Sequence, residues 1–476
     1  MLKFNFDNSY QRLPRDLFSV VDAAKVPNPQ LLIFNNELAA ELGLDDQQCS
    51  AEEMASLWSG QQEIENSTTI AQAYAGHQFA YFTMLGDGRA MLLGEHVNPK
   101  GKRVDIQLKG SGPTPYARGG DGKATLSAML REYLFSEALH ALNIPSTRSL
   151  ALVNTGEKVQ RETLHDGGIL TRVASSHIRI GTFQYAAAYT SKDTLQQLLN
   201  YTIKRHYPHL EQSSDPALAL FQEVMNRQIE LVVAWYRVGF IHGVMNTDNV
   251  LLSGESIDFG PCAFLNSYQP QSVYSSIDHQ GRYAFNNQAN ISLWNLSRLA
   301  ESLLVLYGEH NSLAQEKFQT LLNTYQGHFE QAYYHMFLKK IGFSQNNEKH
   351  IALLHRLLSW MTKYKADFTN TFVQLMYPEW ELNPCFQEKE VKQWLSDWTS
   401  ENPSLTLMQG ENPCYIPRNH LVEEAIELAT KHHDMQNFND FLKHLKQAYT
   451  KENLDLHYLE PASPNFDAQY KTYCGT

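Results

Sequence analysis

The sequence predicts an α+β fold with two lobes, in which a strand-rich part precedes a helix-rich part. From residue 68 onward, short apolar segments alternate with glycine-containing turns, a pattern typical of β-strands. After about Lys192 the sequence favours helices, the first of them over 193–206, 216–238 and 291–307. A run of strands followed by a run of helices indicates an α+β architecture with two parts.

Three regions are predicted along the chain. Residues 1–67 form an N-terminal extension that packs on the lobes, and they contain a helix over 36–42 that ends before Gly43. Residues 68–190 form the strand-rich N-lobe, and residues 191–476 form the helical C-lobe.

The junction between the lobes carries the segment FIHGVMNTDNVLLSGESIDFGPCAF. Residues 250–252 and 256–259 favour strands and the intervening Ser-Gly-Glu favours a turn, so the sequence predicts a β-hairpin. Such a hairpin would bring Asn249 and Asp258 close together. Amide and carboxylate oxygens are hard ligands that suit Mg²⁺ or Mn²⁺, with the phosphates of a nucleotide completing the coordination.

The same segment follows the protein-kinase pattern H-R-D-x-x-x-x-N and D-F-G, with a catalytic loop at 242–249 and the D-F-G at 258–260. The aspartate of H-R-D, however, falls on Val244, whose side chain cannot accept a proton. Asp248 is the carboxylate that remains in the loop. The metal-binding part of the pattern is therefore kept and the usual kinase base is absent. The polar segment 261–287 occupies the position of an activation loop.

A lysine on a predicted strand precedes a glutamate on a predicted helix. Lys109 ends the segment RVDIQLK, and Glu132 follows 23 residues later on a helix predicted over 125–142. Protein kinases pair a strand lysine with a helix glutamate in this order, which directs the ammonium group at nucleotide phosphates. Arg131 and Glu137 share the predicted helix, so the kinase pattern, and not helical periodicity, favours Glu132.

Two glycine-rich segments are suited to phosphate. Gly86, Gly88 and Arg89 lie in a predicted turn between two strands, where glycines let backbone N–H groups approach a phosphate, although most such turns are simple hairpins. The segment GSGPTPYARGGDGKAT, which contains Asp121 and Gly122, is either a surface loop or a cover over a nucleotide.

Two arginines follow in the segment ILTRVASSHIRIGTF. Arg172 and Arg179 are seven positions apart, so either helical spacing or a strand followed by a turn would bring them together. Two guanidinium groups with Lys109 suit a triphosphate, because guanidinium groups bind phosphate oxygens bidentately. Without such a partner the two arginines would be ordinary surface charges.

Composition narrows the classes of partner. Lys and Arg number 39 against 51 Asp and Glu, a net charge of −12, which argues against nucleic acid or an anionic membrane surface. No segment approaches the roughly 18–20 apolar residues of a membrane span. The first residues lack a secretory core or an Arg-rich amphipathic pattern, so a cytoplasmic protein is expected. The five cysteines contain no C-x-x-C pair, which argues against a zinc site and a disulfide framework.

Six blocks of the sequence together resemble the SelO (YdiU) family, whose members are kinase-fold pseudokinases known as protein adenylyltransferases. The blocks are GDGRAMLLGE, DIQLKGSGPTPYARGGDGKATLSAMLREYL, TRVASSHIRIGTF, HGVMNTDN, IDFGPCAF and the terminal TYCGT. The resemblance spans nearly the whole chain. It implies a two-lobed protein-kinase-like fold. It also implies metal-dependent transfer of AMP from ATP to Ser, Thr or Tyr hydroxyls of protein substrates, with Mg²⁺ or Mn²⁺ bound and pyrophosphate released.

The resemblance also implies a role for each site residue. Asn249 and Asp258 are expected to bind the metal, Asp248 to accept the proton, and Glu132 to pair with Lys109. In this family ATP is thought to lie flipped relative to kinases, so that the γ-phosphate is buried among basic residues and the α-phosphate faces the acceptor hydroxyl. The residues expected to bind the nucleotide are Gly86, Gly88, Arg89, Lys109, Asp121, Gly122, Arg172, Arg179 and Asp258.

Three alternatives stay open at this point. UMP transfer from UTP by the same site is one, because nothing in the sequence identifies the contacts that select the base. A catalytically inactive, nucleotide-binding scaffold is the second. The third is an ordinary kinase or small-molecule phosphotransferase.

The sequence departs from the family in one respect. Family members often carry a C-terminal cysteine that can form a redox link to a cysteine in the activation loop. Cys474 is present, but Tyr274 stands where related sequences carry the loop cysteine. Cys262 is the only thiol of that loop, so the sequence leaves a Cys474–Cys262 link as an open expectation.

Overall fold

The computed structural model describes residues 2–44, 49–78, 81–450 and 454–473, without the side chains of 309–310. The strands in these residues are β1 Phe18–Val20, β2 Gln30–Phe34, β3 Ile70–Gln72, β4 Ala75–Gln78, β5 Tyr81–Met84, β6 Ala90–Val97, β7 Arg103–Lys109, β8 Arg148–Gln160, β9 Leu164–Ala174, β10 Phe240–Ile241 and β11 Ala263–Phe264. Seven of them form one antiparallel sheet in the order β1-β3-β6-β7-β9-β8-β2. The first 67 residues therefore supply both edge strands of this sheet.

Helices dominate the chain after β9. The α-helices in the described residues are α1 Asn36–Leu42, α2 Ala51–Trp58, α3 Leu126–Ala141, α4 Ile180–Tyr189, α5 Lys192–His206, α6 Pro216–Val238, α7 Gln288–Leu304, α8 Ser312–Lys340, α9 Glu348–Tyr364, α10 Phe368–Met376, α11 Lys389–Ser400, α12 Leu405–Glu411, α13 Asn419–Lys431, α14 Gln436–Lys446 and α15 Pro464–Gln469. The predicted helix over 36–42 is confirmed, and Gly43 ends it in the left-handed conformation with φ +73°.

The seven-stranded sheet is covered on both faces, so nearly every residue of its central strands β6 and β7 is buried. Successive strand residues point to opposite faces. Leu152 packs into the core that contains Leu130 of α3, whereas Val153 packs into a second core. That second core contains Leu38 of α1 and Trp58 of α2. The first two helices are therefore needed to bury one face of the sheet.

The hairpin predicted over residues 250–259 is wrong. Leu251 forms an antiparallel bridge with Arg179, and Ser256 forms a parallel bridge with Ser146. The Gly254 N–H donates to the Leu251 carbonyl at 3.2 Å, so the turn exists, but the two arms bond to different segments. Both partner segments are distant in the sequence, and they satisfy backbone groups that a hairpin would have paired with each other.

The expected strand–turn–strand unit around residues 86–89 also differs from the structure. β5 pairs with β4, whereas β6 lies between β3 and β7 in the main sheet. The turn therefore connects two separate sheets. Burial explains the difference, because nearly every residue of β6 is buried while three of the four residues of β5 are exposed.

The predicted two-lobed α+β fold is confirmed by a sheet-rich first half and a helical second half. α4 begins before the predicted start of the helical region and packs against α7 of that region. The boundaries at 67 and 190 stay predictions. In the part of the chain that is described, no helix has both the length and the apolar character that a membrane crossing requires.

Candidate active site

One cavity of about 530 Å³ brings the predicted site residues together. It lies between the seven-stranded sheet, α3 and the segment around the D-F-G. A larger cavity of about 800 Å³ elsewhere is lined by none of the predicted residues, so the chemistry of the lining, and not its volume, identifies the site. All twelve predicted residues line the smaller cavity: Gly86, Gly88, Arg89, Lys109, Asp121, Gly122, Glu132, Arg172, Arg179, Asp248, Asn249 and Asp258.

The strand lysine and the helix glutamate form a buried ion pair. Lys109 is the last residue of β7, and its Nζ lies 2.6 Å from Glu132 Oε2 on α3. The same Nζ lies 2.6 Å from Asp258 Oδ1. Burial lowers the pKa of Lys109, while Asp258 and Glu132 oppose that effect. The ammonium group is therefore held between two carboxylates inside the cavity.

The two arginines converge through a strand and a turn. Arg172 lies on β9, and Arg179 is the residue that precedes α4. One guanidinium nitrogen of Arg172 donates to both Glu132 Oε1, at 2.5 Å, and Asp258 Oδ1, at 2.6 Å. Arg179 lies 3.4 Å from Asp258 Oδ2 and also donates to the backbone carbonyl of Asp248 at 2.7 Å. Of the two arrangements that the spacing allowed, the strand and turn is the one observed.

Asp258 is the centre of this charge cluster. Burial raises the pKa of its carboxyl group, but Lys109, Arg172 and Arg179 outweigh burial and hold the pKa well below its ordinary value. Asp258 also adopts φ +65°, a backbone conformation uncommon for residues other than glycine. Backbone strain of this kind is often found at functional sites. Asp258 thus combines a strained backbone conformation with a carboxylate that contacts three cationic side chains.

The donor set at Asp258 and Asn249 fits a hard divalent cation. The Asn249 amide nitrogen donates to the Val244 carbonyl at 3.1 Å, which leaves the amide oxygen available as a ligand. Mg²⁺ is typically held by one or two protein carboxylates together with substrate phosphates. In the described residues no group of three or more His, Cys, Asp or Glu side chains is placed to hold a metal ion. One carboxylate and one amide oxygen fit the arrangement in which substrate phosphates complete the coordination.

Asp248 is a buried carboxylate that faces the same cavity. Burial, the largest effect, raises the pKa of Asp248 to about 6, although Arg179 opposes it. Among the described residues, Oδ1 of Asp248 has no hydrogen-bond partner. Gln78 donates a hydrogen bond to the side chain. Val244, at the position of the kinase base, is buried and apolar. Asp248 therefore has a pKa not far below neutral pH, and one of its carboxylate oxygens is available to accept a proton.

The glycine turn packs against a loop that lines the cavity. Gly86 has φ +130°, and a Cβ atom at this position would lie 2.4 Å from the Tyr116 ring. Tyr116 belongs to the Gly- and Pro-rich segment, and Asp121 of the same segment pairs with Arg161 at 2.9 Å in the lining of the cavity. Several residues of that segment line the cavity, and its function as a cover over a nucleotide stays a prediction. A direct contact of the turn with phosphate stays a prediction.

Sequence reasoning missed three residues that support the site. Asp87 is buried and accepts from the Gln72 backbone N–H at 3.1 Å, and its Oδ1 lies 3.5 Å from Arg179. The Tyr74 ring lies 4.4 Å from the Arg179 guanidinium carbon. Gln78 contacts Asp248 as described above. Asp87 lies between the two predicted glycines Gly86 and Gly88, and that position is a signal in the sequence. Nothing local in the sequence indicated Tyr74 or Gln78.

The C-terminal segment packs against the residues that follow the D-F-G. Thr472 donates its hydroxyl to the Pro261 carbonyl at 2.7 Å and its backbone N–H to the Tyr274 carbonyl at 2.8 Å. The Tyr274 hydroxyl lies 3.3 Å from Asp467 Oδ1. Tyr274, at the position of the family's loop cysteine, therefore contacts this segment without a covalent bond. Cys474 lies outside the described residues, so its link to Cys262 stays a prediction.

Cys262 should resist alkylation in the native protein. Its thiol is buried and donates to the Phe259 carbonyl at 3.1 Å, and burial raises its pKa to about 12. The reactive thiolate is therefore almost absent at pH 8. Mass spectrometry after iodoacetamide treatment should find Cys262 unmodified in native protein and modified in urea. Cys49, which is only partly buried, is the internal comparison. Native labelling of Cys262 as fast as that of Cys49 would contradict this expectation.

Comparison with known proteins identifies the family. Residues 1–446 match the family model described as "Protein adenylyltransferase SelO". A relative from Alcanivorax borkumensis, named "Protein nucleotidyltransferase YdiU", is 50% identical over 481 residues, covering 99% of this chain and 99% of the relative. Relatives of the same name from Nitrosococcus oceani and Bacillus mycoides are each 47% identical, covering 99% of this chain and 97% and 98% of their own lengths.

The similarity to solved structures has low TM-scores and low sequence identity. The Toxoplasma gondii specific rhoptry antigen kinase domain has a TM-score of 0.26 and 10% identity, covering 55% of this chain and 85% of that chain. The Toxoplasma gondii protein ROP2, described as having a protein-kinase fold and no enzymatic activity, has a TM-score of 0.22 and 12% identity, covering 71% and 87%. These scores carry no argument, whereas the family model and the relatives span nearly the whole chain. The chain belongs to the SelO family of protein adenylyltransferases, a family of nucleotidyltransferase enzymes.

Proposed function

We propose that the chain transfers AMP from ATP to serine, threonine or tyrosine hydroxyls of protein substrates, with Mg²⁺ or Mn²⁺ bound. The observation that carries this proposal is the pairing of two features in one cavity. A cluster of three cations surrounds Asp258, and Asp248 presents a carboxylate oxygen that has no partner among the described residues. Membership of a nucleotidyltransferase family supports the transfer of a nucleotidyl group.

In the proposed reaction the acceptor oxygen attacks the α-phosphorus of ATP. The bond from that phosphorus to its bridging oxygen breaks, and pyrophosphate leaves. The hydroxyl proton passes to Asp248, whose pKa, raised to about 6 by burial, suits proton transfer near neutral pH. Lys109, Arg172 and Arg179 stabilise the negative charge of the departing pyrophosphate.

Asn249 and Asp258 would hold the divalent cation, which supplies charge neutralisation at the phosphates when it is bound. The three cations would then exchange a carboxylate partner for phosphate oxygens, which guanidinium groups bind bidentately. The cluster around Asp258 is therefore a preorganised set of positive charges that Asp258 and Glu132 keep in place before the nucleotide binds.

The position of the transferred label tests this proposal. Protein substrate should become labelled from ATP carrying ³²P at the α-phosphate, and should stay unlabelled from ATP carrying it at the γ-phosphate. Intact mass should increase by one AMP unit, and pyrophosphate should be released in equal amount. Label from the γ-phosphate would instead identify a kinase. Absence of label from both, with ATP still bound, would identify a nucleotide-binding scaffold.

The choice between ATP and UTP is tested in the same assay. Phosphate groups and not base edges are what the predicted residues are suited to contact. Competition between α-labelled ATP and α-labelled UTP, first with Mg²⁺ and then with Mn²⁺, measures the preference directly. We expect AMP transfer to exceed UMP transfer. If UMP transfer dominates, UTP and not ATP is the nucleotide substrate.

A further inference from the structure

A second cavity, of about 800 Å³, has a strongly basic lining. It lies between the N-terminal residues, the turn that joins β6 to β7, the end of α5 and one residue of α6, and it shares no described lining residue with the candidate active site. Its arginines and lysines are Arg12, Lys102, Arg103, Lys204, Arg205 and Arg227. Among the described residues that line it, Asp7 is the one carboxylate. The cavity is therefore positive within a chain whose net charge is −12.

The carboxylates around the cavity already have partners. Glu255 accepts from the hydroxyls of Ser175 and Ser253, at 2.9 and 2.8 Å, and both serines belong to the lining. His206 adds no positive charge, because burial lowers its pKa to about 3. Three of the arginines are paired with carboxylates: Arg12 and Arg103 share Asp7, and Arg205 pairs with the buried Glu95 and Asp105.

The other three cations of the lining lack a close carboxylate. Lys102 and Lys204 are exposed, and within the described part of the chain neither ammonium group has an ion pair or a side-chain hydrogen bond. Arg227 lies 3.9 Å from Glu230, and both of these side chains are more than half exposed. Like charges gathered around a concave surface raise the local positive potential and attract anions. An anion bound between them would also relieve their mutual repulsion.

The paired arginines hold the lining in place. Arg205, at the end of α5, donates to the Ser175 carbonyl at 2.6 Å and to Asp105 Oδ1 of β7 at 2.7 Å. Arg103 donates to both the backbone carbonyl and the carboxylate of Asp7, which joins the N-terminal residues to β7. Segments that are already fixed lose less conformational entropy when a ligand binds. The cavity is therefore preorganised.

We propose that this cavity binds a small anion that carries a chain of two or three phosphoryl groups, either free or as part of a nucleotide. Guanidinium and ammonium groups are the side chains that bind phosphate oxygens, and the three cations without a close carboxylate match such a chain in charge. The volume lies within the roughly 300–1,000 Å³ of small-molecule sites. A nucleic acid would need a basic surface beyond the cavity, which the net charge of −12 opposes. The proposal does not depend on AMP transfer.

Lysine modification tests the proposal at the cavity itself. The protein is acetylated in EDTA and roughly 0.15 M KCl, where weak surface attraction is screened, with and without tripolyphosphate or ATP. Mass spectrometry measures the rate at each lysine. At about ten times the Kd only about a tenth of the cavities are free, so acetylation of Lys102 and Lys204 should slow by about tenfold. Lys389 and Lys392, exposed on α11, should react at unchanged rates.

A double variant tests the same site by calorimetry. In Lys102→Gln with Lys204→Gln, one tripolyphosphate-binding event of the wild type should weaken by at least about tenfold, because two charge-assisted contacts are lost. Lys389→Gln with Lys392→Gln removes the same charge from α11 and should bind as the wild type does. All four lysines are exposed, so both variants should fold. The comparison holds whether or not the candidate active site also binds tripolyphosphate, because neither variant changes that site.

The outcomes separate the proposal from its competitors. Unchanged acetylation of Lys102 and Lys204 with both tripolyphosphate and ATP, or unchanged binding in their double variant, would overturn it. Equal protection by citrate would show that the cavity attracts any polyvalent anion, and the phosphoryl assignment would be wrong. Protection by both phosphate compounds supports recognition of the phosphate chain alone, and stronger protection by ATP supports a nucleotide. Neither measurement requires AMP transfer, so a failure of the proposed function would leave this result unaffected.

Discussion

Replacing Asp258 with asparagine is expected to abolish AMP transfer and to remove the dependence of ATP binding on a divalent cation. The substitution keeps the shape of the side chain and removes the charge that a phosphate-bridged cation requires. Loss of that charge should cost several kcal/mol of transition-state stabilisation, which corresponds to at least about a hundredfold in rate. Transfer from α-labelled ATP across a Mn²⁺ titration measures the loss, and calorimetry with and without metal measures ATP affinity.

The structure adds a second expectation for Asp258→Asn. Lys109, Arg172 and Arg179 all contact this carboxylate. The variant leaves the first two with Glu132 and leaves Arg179 with Asp87. Removing one partner of a buried ion pair typically costs about 3–5 kcal/mol. We therefore expect a lower free energy of unfolding without ligand, and recovery of part of that loss when ATP phosphates replace the carboxylate.

The control for this variant is Asp166→Asn. Asp166 lies on β9 and pairs with the exposed Lys158 at 2.7 Å, outside the cavity. The Asp166→Asn variant should keep AMP transfer, metal dependence and nearly all of its free energy of unfolding, because exposed ion pairs contribute little to stability. If the Asp258→Asn variant transfers AMP at the wild-type rate throughout the Mn²⁺ titration, the assignment of Asp258 as a metal ligand is wrong.

Replacing Asp248 with asparagine is expected to reduce the rate of transfer by about 10²–10⁴, the usual effect of losing a positioned acid–base group. This corresponds to roughly 3–5 kcal/mol in the activation barrier. Affinity for ATP and for the divalent cation should change little, because the substitution removes the proton acceptor and keeps the volume. Single-turnover transfer at saturating ATP separates the chemical step from binding.

Asp193→Asn is the matched control for the base. Asp193 is an exposed residue of α5 whose carboxylate accepts from Gln197, so its substitution should leave transfer unchanged. A wild-type rate in Asp248→Asn would exclude this residue as the base. A loss of ATP affinity equal to the loss of rate would instead assign Asp248 a role in binding.

Local sequence signals were sufficient for much of the fold. The predicted helix over 216–238 agrees with α6 at both ends, because Asp215 caps its start and Gly239 in the left-handed conformation ends it. The strand ending at Lys109 and the helix carrying Glu132 were also predicted, and each depends on residues within a few positions of itself. Capping residues and apolar patterns lie within or next to the helix or strand that they determine, so a local segment of sequence is enough to predict it.

Strand pairing was where sequence reasoning failed. Residues 250–259 contain a turn and two apolar arms, which predict a hairpin when taken alone. In the structure each arm bonds to a segment far away in the sequence, near Ser146 and near Arg179. The same holds for β5, which pairs backwards with β4 and not forwards with β6. Strand pairing depends on which segments lie side by side in the folded chain, and a local sequence pattern does not contain that information.

The sequence by itself determined the chemistry of the site: carboxylate and amide oxygens for a metal, cations for phosphates, and an aspartate in place of the missing kinase base. Only the tertiary structure decided which of these groups touch. It placed the cations of β7, β9 and the start of α4 on the single carboxylate of Asp258. It also set Gln78 against Asp248. The reason is physical, because a side chain's donors, acceptors and charge belong to the residue type, whereas its partners depend on contacts between segments distant in the chain.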